Sequence, residues 1–312
     1  MPELPEVQTT VNGLKKTVLG LIIKDVWSSY NSPYFKGSET IKDIAYFKKF
    51  KKIVIGKKII SAERRAKNIL INLSGGVTIL VHLKMTGHLL YGKFFFDKKN
   101  AKDPWQGLAP IGLKDPFNRH IRLIFTLNNG KHLALSDMRK FAKVTALSTI
   151  DMHGSEHLSG IGPEPLDKAF TFERFQERVN LRPNGKVKQI IMDQSIVAGV
   201  GNIYADESLW YAGIHPRQLI KEIPERRLHE LFKAVKTVLK NGVTLGGAST
   251  SDYRNIHGEM GESQGEHHAY RRTGERCGRR GCDGTIVRIT LGARGTHYCN
   301  RHQKLVATKN NK

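Results

Sequence analysis

The feature that most limits how this chain can fold is a change of hydrophobic period near residues 150–170. Before it, apolar residues come in short β-branched and aromatic runs: "LIIKDVWSSY" (21–30), "KKIISAERRAKNILINLSGGVTILVHLKMTGHLLYG" (57–92) and "HIRLIFTLNNGKHLALSDMRKFAKVTAL" (120–147). Turn signals at Ser74-Gly75-Gly76 and Asn128-Asn129-Gly130 divide the runs, which is a sandwich or barrel pattern. One helix near 6–18 precedes the strands, and 97–118 reads as a long polar loop between two of them. After the change, "FTFERFQERV" (170–179), "KQIIMDQSIV" (188–197), "IYADESLWYAG" (203–213) and "ERRLHELFKAVKTVLKNG" (225–242) carry helical spacing and end at glycine or asparagine.

The division predicted is a β-sandwich domain over 1–155, a linker over 156–168 and a helical domain over 169–245. A mobile Gly-rich loop over 246–268, a hairpin over 269–305 and a basic tail over 306–312 follow.

Charge narrows the partner. Lys and Arg number 51 against 28 Asp and Glu, a formal net charge of +23 spread along the chain. Such a field favours a polyanion, either nucleic acid or an anionic membrane face. No long basic amphipathic helix stands out and no apolar run approaches the ~20 residues of a membrane span, so nucleic acid is favoured. A ribosomal type of charge, merely neutralising an RNA scaffold, is the bland alternative.

The three cysteines all fall in "CGRRGCDGTIVRITLGARGTHYCNRH" (277–302). An odd count with no signal peptide argues for a reducing compartment and against a disulfide framework. Cys277-x4-Cys282, then sixteen residues, then Cys299-x2-His302 places two chelating pairs at the ends of a predicted β-hairpin. Three thiolates and an imidazole suit one closed tetrahedral zinc ion, and so small a hairpin needs such a staple. His297 is the rival ligand, but it points with Cys299 along one strand and chelates poorly. In "DQSIVAGVGNIYADESLW" (193–210), Gly199 and Gly201 make a tight turn before a helix starting at Asn202. Backbone N–H groups there can seat a phosphate, with Lys188 adding charge.

These motifs resemble the formamidopyrimidine-DNA glycosylase family, which shares its fold with endonuclease VIII. "PELPEV", "RRAKNIL", "LKMTG", "DMRKFAK", "DQSIVAGVGNIYADE" and "ARGTHYC" occur in family order along essentially the whole chain. The resemblance implies a multidomain α+β protein: an N-terminal two-sheet β-sandwich with flanking helices, then a helix–two-turn–helix domain with a zinc-finger β-hairpin. It implies a base-excision repair enzyme acting on damaged double-stranded DNA, with strand cleavage by β,δ-elimination.

By the same resemblance, Pro2 is the nucleophile, Glu3 the acid, Glu6 the orienting carboxylate and Lys67 a phosphate contact. Met85, Arg139 and Phe141 fill the gap left by a flipped nucleotide, and Arg294 contacts phosphate from the finger. Leu4 leans toward the branch acting on oxidised purines. An endonuclease VIII-like activity on oxidised pyrimidines, or a non-catalytic nucleic-acid binder, are the alternatives. His302 stands where the family usually has a fourth cysteine, and the 246–268 stretch departs from the family's base-capping segment. A monomer in the cytoplasm, at the nucleoid when on DNA, with no membrane partner and no organic cofactor, completes the expectation.

The chemistry supports acid and proline at the start of so basic a chain. Removal of Met1 would leave Pro2 as a secondary amine. An α-amino group with pKa near 7.7–8.0 is roughly a tenth unprotonated at pH 7, against about 0.04% for a lysine.

Overall fold

The computed structural model describes residues 1–306, so the expected tail lies, beyond its first position, outside the described residues. The chain forms two compact units. Met1–Ser159 joins with Leu245–Gln264 in the first, and Gly160–Thr244 joins with the residues from Gly265 onward in the second.

In the first unit, helix α1 (Leu4–Thr17) begins at Glu3, whose N–H donates to Glu6 Oε2 at 2.7 Å. Pro5 sits in the first turn, where it costs no hydrogen bond. Val7, Val11 and Leu14 recur at helical spacing and are fully buried. Two antiparallel sheets follow. One runs β2 (Ile59–Arg65), β3 (Asn68–Leu73), β4 (Val77–His82), β9 (Lys143–Ser148). The other runs β1 (Ile23–Ser28), β7 (Ile121–Leu127), β8 (His132–Ser136), β5 (His88–Phe96), β6 (Trp105–Ala109). Ile69, Ile71, Ile79 and Val81 of the first sheet share one core with Leu89, Leu123, Phe125 and Leu135 of the second.

The structure corrects three expectations in this unit. A second helix, α2 (Ile44–Val54), was hidden in a lysine-rich stretch. Its N-cap is Asp43, which accepts the Tyr46 N–H, and it buries Phe50 and Val54. The 97–118 stretch is not merely a loop, because β6 lies within it. Trp105 of that strand packs edge-on against Trp27 and Phe96, which draws the strand onto the sheet. The Gly-rich stretch, expected to be mobile, packs on this unit as far as Gln264 and buries Ala248, Tyr253, Arg254 and Ile256. Ile256 belongs to the main core and lies where a Cβ on Gly13 of α1 would meet it at 2.4 Å.

The second unit holds α3 (Phe172–Asn180), α4 (Val187–Met192), α5 (Asn202–Ala212) and α6 (Glu225–Thr244). It also holds the hairpin of β10 (Ile286–Leu291) and β11 (Arg294–Cys299). Helix α5 is buried nearly all round, Asp206 and Glu207 included, which marks it as the unit's central element.

Candidate active site and metal centre

Pro2, Glu3 and Glu6 are all buried at the amino end of α1, with Glu3 3% and Glu6 1% exposed. Glu6 is held at both carboxylate oxygens. Oε2 accepts the Glu3 N–H, and Oε1 accepts the Ala248 N–H at 2.7 Å. Its backbone carbonyl accepts the Tyr253 hydroxyl at 3.1 Å. Burial, with the neighbouring Glu6 carboxylate second, raises the Tyr253 phenol and keeps it a neutral donor. Lys67 follows Ala66, which has φ +52° in the turn between β2 and β3. Arg64 of β2 donates to Gln8 of α1 at 2.9 Å and to the Ala66 carbonyl at 3.1 Å. This ties the lysine's turn to the helix that starts at the proline.

Met85, Arg139 and Phe141, expected to enter the stack, are all exposed. The Arg139 guanidinium lies 4.4 Å from the centre of the Phe141 ring, a cation–π pairing that presents both together. Met85 and Phe141 line a cavity of about 850 Å³ together with Met1, Phe35, Lys42, Lys84 and others. Behind them lies Asp137, fully buried. It accepts from Thr86 Oγ1 at 2.6 Å, Tyr30 Oη at 2.8 Å and the Ala142 N–H at 2.8 Å. The Arg139 N–H in turn donates to Thr86 Oγ1. One carboxylate thus fixes the loop of Met85 and that of Arg139 and Phe141.

In the second unit the structure corrects Lys188. It is not a surface cation for phosphate: 1% exposed, its ammonium lies 2.7 Å from Asp206 Oδ1 and 2.7 Å from Thr296 Oγ1. Burying that charge requires the opposing carboxylate. Asp206 Oδ2 accepts the His297 N–H at 2.9 Å and lies 3.0 Å from His297 Nδ1. Asn202 Nδ2, at the start of α5, donates to the Gly295 carbonyl at 3.0 Å. Helices α4 and α5 therefore hold the hairpin, and Arg294 is left exposed at its turn, beside Ala293 at φ +57°. In the turn before α5, Gly199 gives its N–H to Gln194 Oε1.

Cys277, Cys282, Cys299 and His302 bring one ligand atom each within 4.8 Å of one another. Cys277 Sγ is 3.2 Å from His302 Nδ1, Cys282 Sγ is 3.8 Å from it, and the Cys282 and Cys299 sulfurs are 3.6 Å apart. A tetrahedral ion with bonds of 2.0–2.3 Å has ligand–ligand edges of roughly 3.3–3.8 Å, so the donor set fits. Outer contacts orient it. His302 Nε2 pairs with the Trp210 carbonyl at 3.0 Å, which frees Nδ1 as ligand. Trp210 Nε1, Gly284 N and Arg301 N donate to the three sulfurs. His297, engaged by Asp206, stands outside the cluster.

Two family models match, one in the first unit and one beginning in the second. The formamidopyrimidine-DNA glycosylase N-terminal domain matches residues 1–144, and the corresponding H2TH domain matches 161–254. A formamidopyrimidine-DNA glycosylase of Herpetosiphon aurantiacus is 36% identical over 300 residues, 96% of this chain and 98% of that protein. The chain belongs to the formamidopyrimidine-DNA glycosylase family. A second family member, from Desulforamulus reducens, is 35% identical over 97% of this chain and 99% of its own. A solved structure of Lactococcus lactis formamidopyrimidine-DNA glycosylase on abasic-site DNA superposes with TM-score 0.78 at 29% identity. The match covers 97% of this chain and 99% of that one. A mutant of the same protein bound to Fapy-dG DNA gives 0.80 at 30% identity, over 97% and 100%. This glycosylase is accordingly a base-excision repair enzyme of a family in which lyase activity is typical.

The sequence pattern left three carboxylates of the glycosylase unnoticed: Asp137, Asp206 and Glu207. Glu207 accepts the N–H groups of His268, Ala269 and Tyr270 at 2.8–2.9 Å, which fixes the chain entering the hairpin. A signal was present. Asp137 is the one acid inside the basic motif DMRKFAK, and Asp206 and Glu207 interrupt the helix of IYADESLWYAG among apolar residues, where an internal partner justifies them.

Proposed function

We propose that this glycosylase excises oxidised purines, 8-oxoguanine and formamidopyrimidines, from duplex DNA through Pro2 and then cleaves the strand by β,δ-elimination. The observation that carries the reading is the doubly held Glu6 beside Glu3 and Pro2 at one buried helix start. With Met1 removed, the Pro2 nitrogen attacks C1′ of the flipped nucleotide. The C1′–N bond to the base breaks, and the base leaves with a proton. Glu3 protonates the ring oxygen, the sugar opens, and an iminium forms between Pro2 and C1′. The iminium acidifies the C2′ protons, so loss of one expels the 3′ phosphate, and a second elimination expels the 5′ phosphate. Lys67 and Arg294 neutralise phosphates, while Met85, Phe141 and Arg139 occupy the gap in the stack. The finger takes one zinc ion in a structural role, because four protein ligands leave no position for water. The enzyme works as a monomer in the cytoplasm; no helix among the described residues is long and apolar enough to cross a membrane.

Borohydride trapping on duplex DNA carrying 8-oxoguanine tests the reading. Retaining Met1 abolishes the trapped adduct, Pro2→Gly weakens it, and Glu3→Gln loses base release yet keeps some cleavage of a preformed abasic site. An undiminished adduct in the Met1-retained protein would overturn the assignment of Pro2.

A further inference from the structure

Residues 97–118 are engaged in more than sheet pairing. Asp115 Oδ2 accepts from Arg254 Nε at 3.0 Å, and the Arg254 side chain is only 4% exposed. Its guanidinium also lies 4.6 Å from the Phe117 ring centre. Asn118, 1% exposed, donates from Nδ2 to the carbonyls of Gly258 and Gly112 at 3.0 and 2.8 Å, while its Oδ1 is 2.8 Å from His88 Nε2. The two backbones touch directly: a Cβ on Gly258 would stand 2.5 Å from the Gly112 carbonyl oxygen. Arg254 and Gly258 belong to the Leu245–Gln264 segment, which at Ala248 and Tyr253 reaches Glu6. Between those points the Ile256 carbonyl accepts the Tyr91 N–H of β5 at 2.7 Å.

We propose that the 97–118 stretch is a brace for catalysis, with Asp115 and Asn118 as positioning residues. By fixing Arg254 and Gly258, they hold the Ala248 N–H on Glu6 Oε1 and so keep the Glu3–Glu6 pair in register with Pro2. The proposal rests on the catalytic reading of Pro2, Glu3 and Glu6 given above. The path is a continuous series of hydrogen bonds and packed backbone from this stretch to the helix start, and the exchange measurement below tests whether it carries coupling. Glu6 is closed in on this side as well, because a Cβ on Gly247 would lie 2.9 Å from its Cγ.

The test uses the full chain with Asp115→Ala, and Asp115→Glu as the conservative control. Asp115 is partly exposed and Arg254 keeps its bonds to the Ser251 and Tyr253 carbonyls when that carboxylate is lost, so the variant is expected to fold, and its melting temperature is measured beside wild type. Two readouts are taken: hydrogen exchange at the Ala248 amide, and single-turnover base release from 8-oxoguanine duplex beside the Kd for that duplex. In Asp115→Ala, exchange at Ala248 rises at least tenfold and base release falls at least tenfold, with Kd within about threefold. Asp115→Glu restores both. Unchanged exchange at Ala248 overturns the brace, and so does a loss of rate that the Kd change or a lowered melting temperature fully accounts for. If the wild-type protein releases no base, the catalytic reading fails instead, and the exchange result still decides the brace.

Discussion

Left-handed backbone at a non-glycine residue costs of order 1–3 kcal/mol, and it persists only where surrounding structure imposes it. Among the described residues Ala66, Lys84, Lys140, Arg271 and Ala293 adopt it. Four of these five adjoin Lys67, Met85, the Arg139–Phe141 pair and Arg294, the residues proposed to meet DNA. At Lys84 the imposing group is His82, whose Nδ1 accepts the Lys84 N–H at 3.0 Å and must therefore be neutral. Burial, reinforced by Lys84 and Lys67, pushes His82 down to about 3. The unfolded chain takes up a proton near pH 6.5 that the folded chain refuses, so stability is full above that pH and falls as pH drops toward 3. About 1 kcal/mol is lost by pH 5.5, since each pH unit below the unfolded value costs roughly 1.36 kcal/mol. Thermal melts of wild type and His82→Gln between pH 7.5 and 5.5 check this: the acid-induced loss is smaller in the variant.

At the scale of elements, the finger hairpin is held by two devices, the Cys277–Cys282–Cys299–His302 cluster at its open end and the Lys188–Asp206 pair nearer its turn. His302→Ala removes one ligand, so metal content per chain drops to below half and the hairpin loosens; Arg294 loses its fixed position and DNA affinity falls. Elemental analysis with binding assays checks this, and full occupancy in the variant would point to another ligand. Elements marked by short β-branched runs or by helical spacing were legible in sequence: α1, the strands of both sheets except β6, α3, α5 and α6. Helix α2 was not, because only Phe50 and Val54 face inward among its lysines. Strand β6 was not, because its pairing depends on Trp105 meeting aromatic rings far away in sequence. The site followed the same logic. Pro2, Glu3 and Glu6 are local in sequence and could be read as a group. The true partner of Lys188 lies on another helix and a distant strand, and nothing in a lysine's own neighbourhood says which way it faces.

For the whole molecule, the +23 charge favours DNA, and the slope of affinity against salt counts the lysines and arginines that reach phosphate. Lys67→Ala should reduce the slope of log K against log salt by about 0.9, one phosphate contact. Lys188→Met should not act as a lost phosphate contact. It leaves Asp206 buried without its cation, costing about 3–5 kcal/mol of stability in the second unit. Salt titrations beside melts separate the two cases; an equal flattening of the slope in Lys188→Met would show that its ammonium does reach phosphate.

The chain visits its first unit twice, and this has a consequence for the order of synthesis. The Pro2 amine is among the first atoms to leave the ribosome, yet the amide that holds Glu6 lies 242 residues downstream. At about 5–20 residues per second, roughly 10–50 s pass before Leu245–Gln264 has been made. Through that interval the nascent chain carries its proposed nucleophile without the frame that would direct it. The proposed site is therefore framed only when most of the chain exists, with the helices of the second unit already translated.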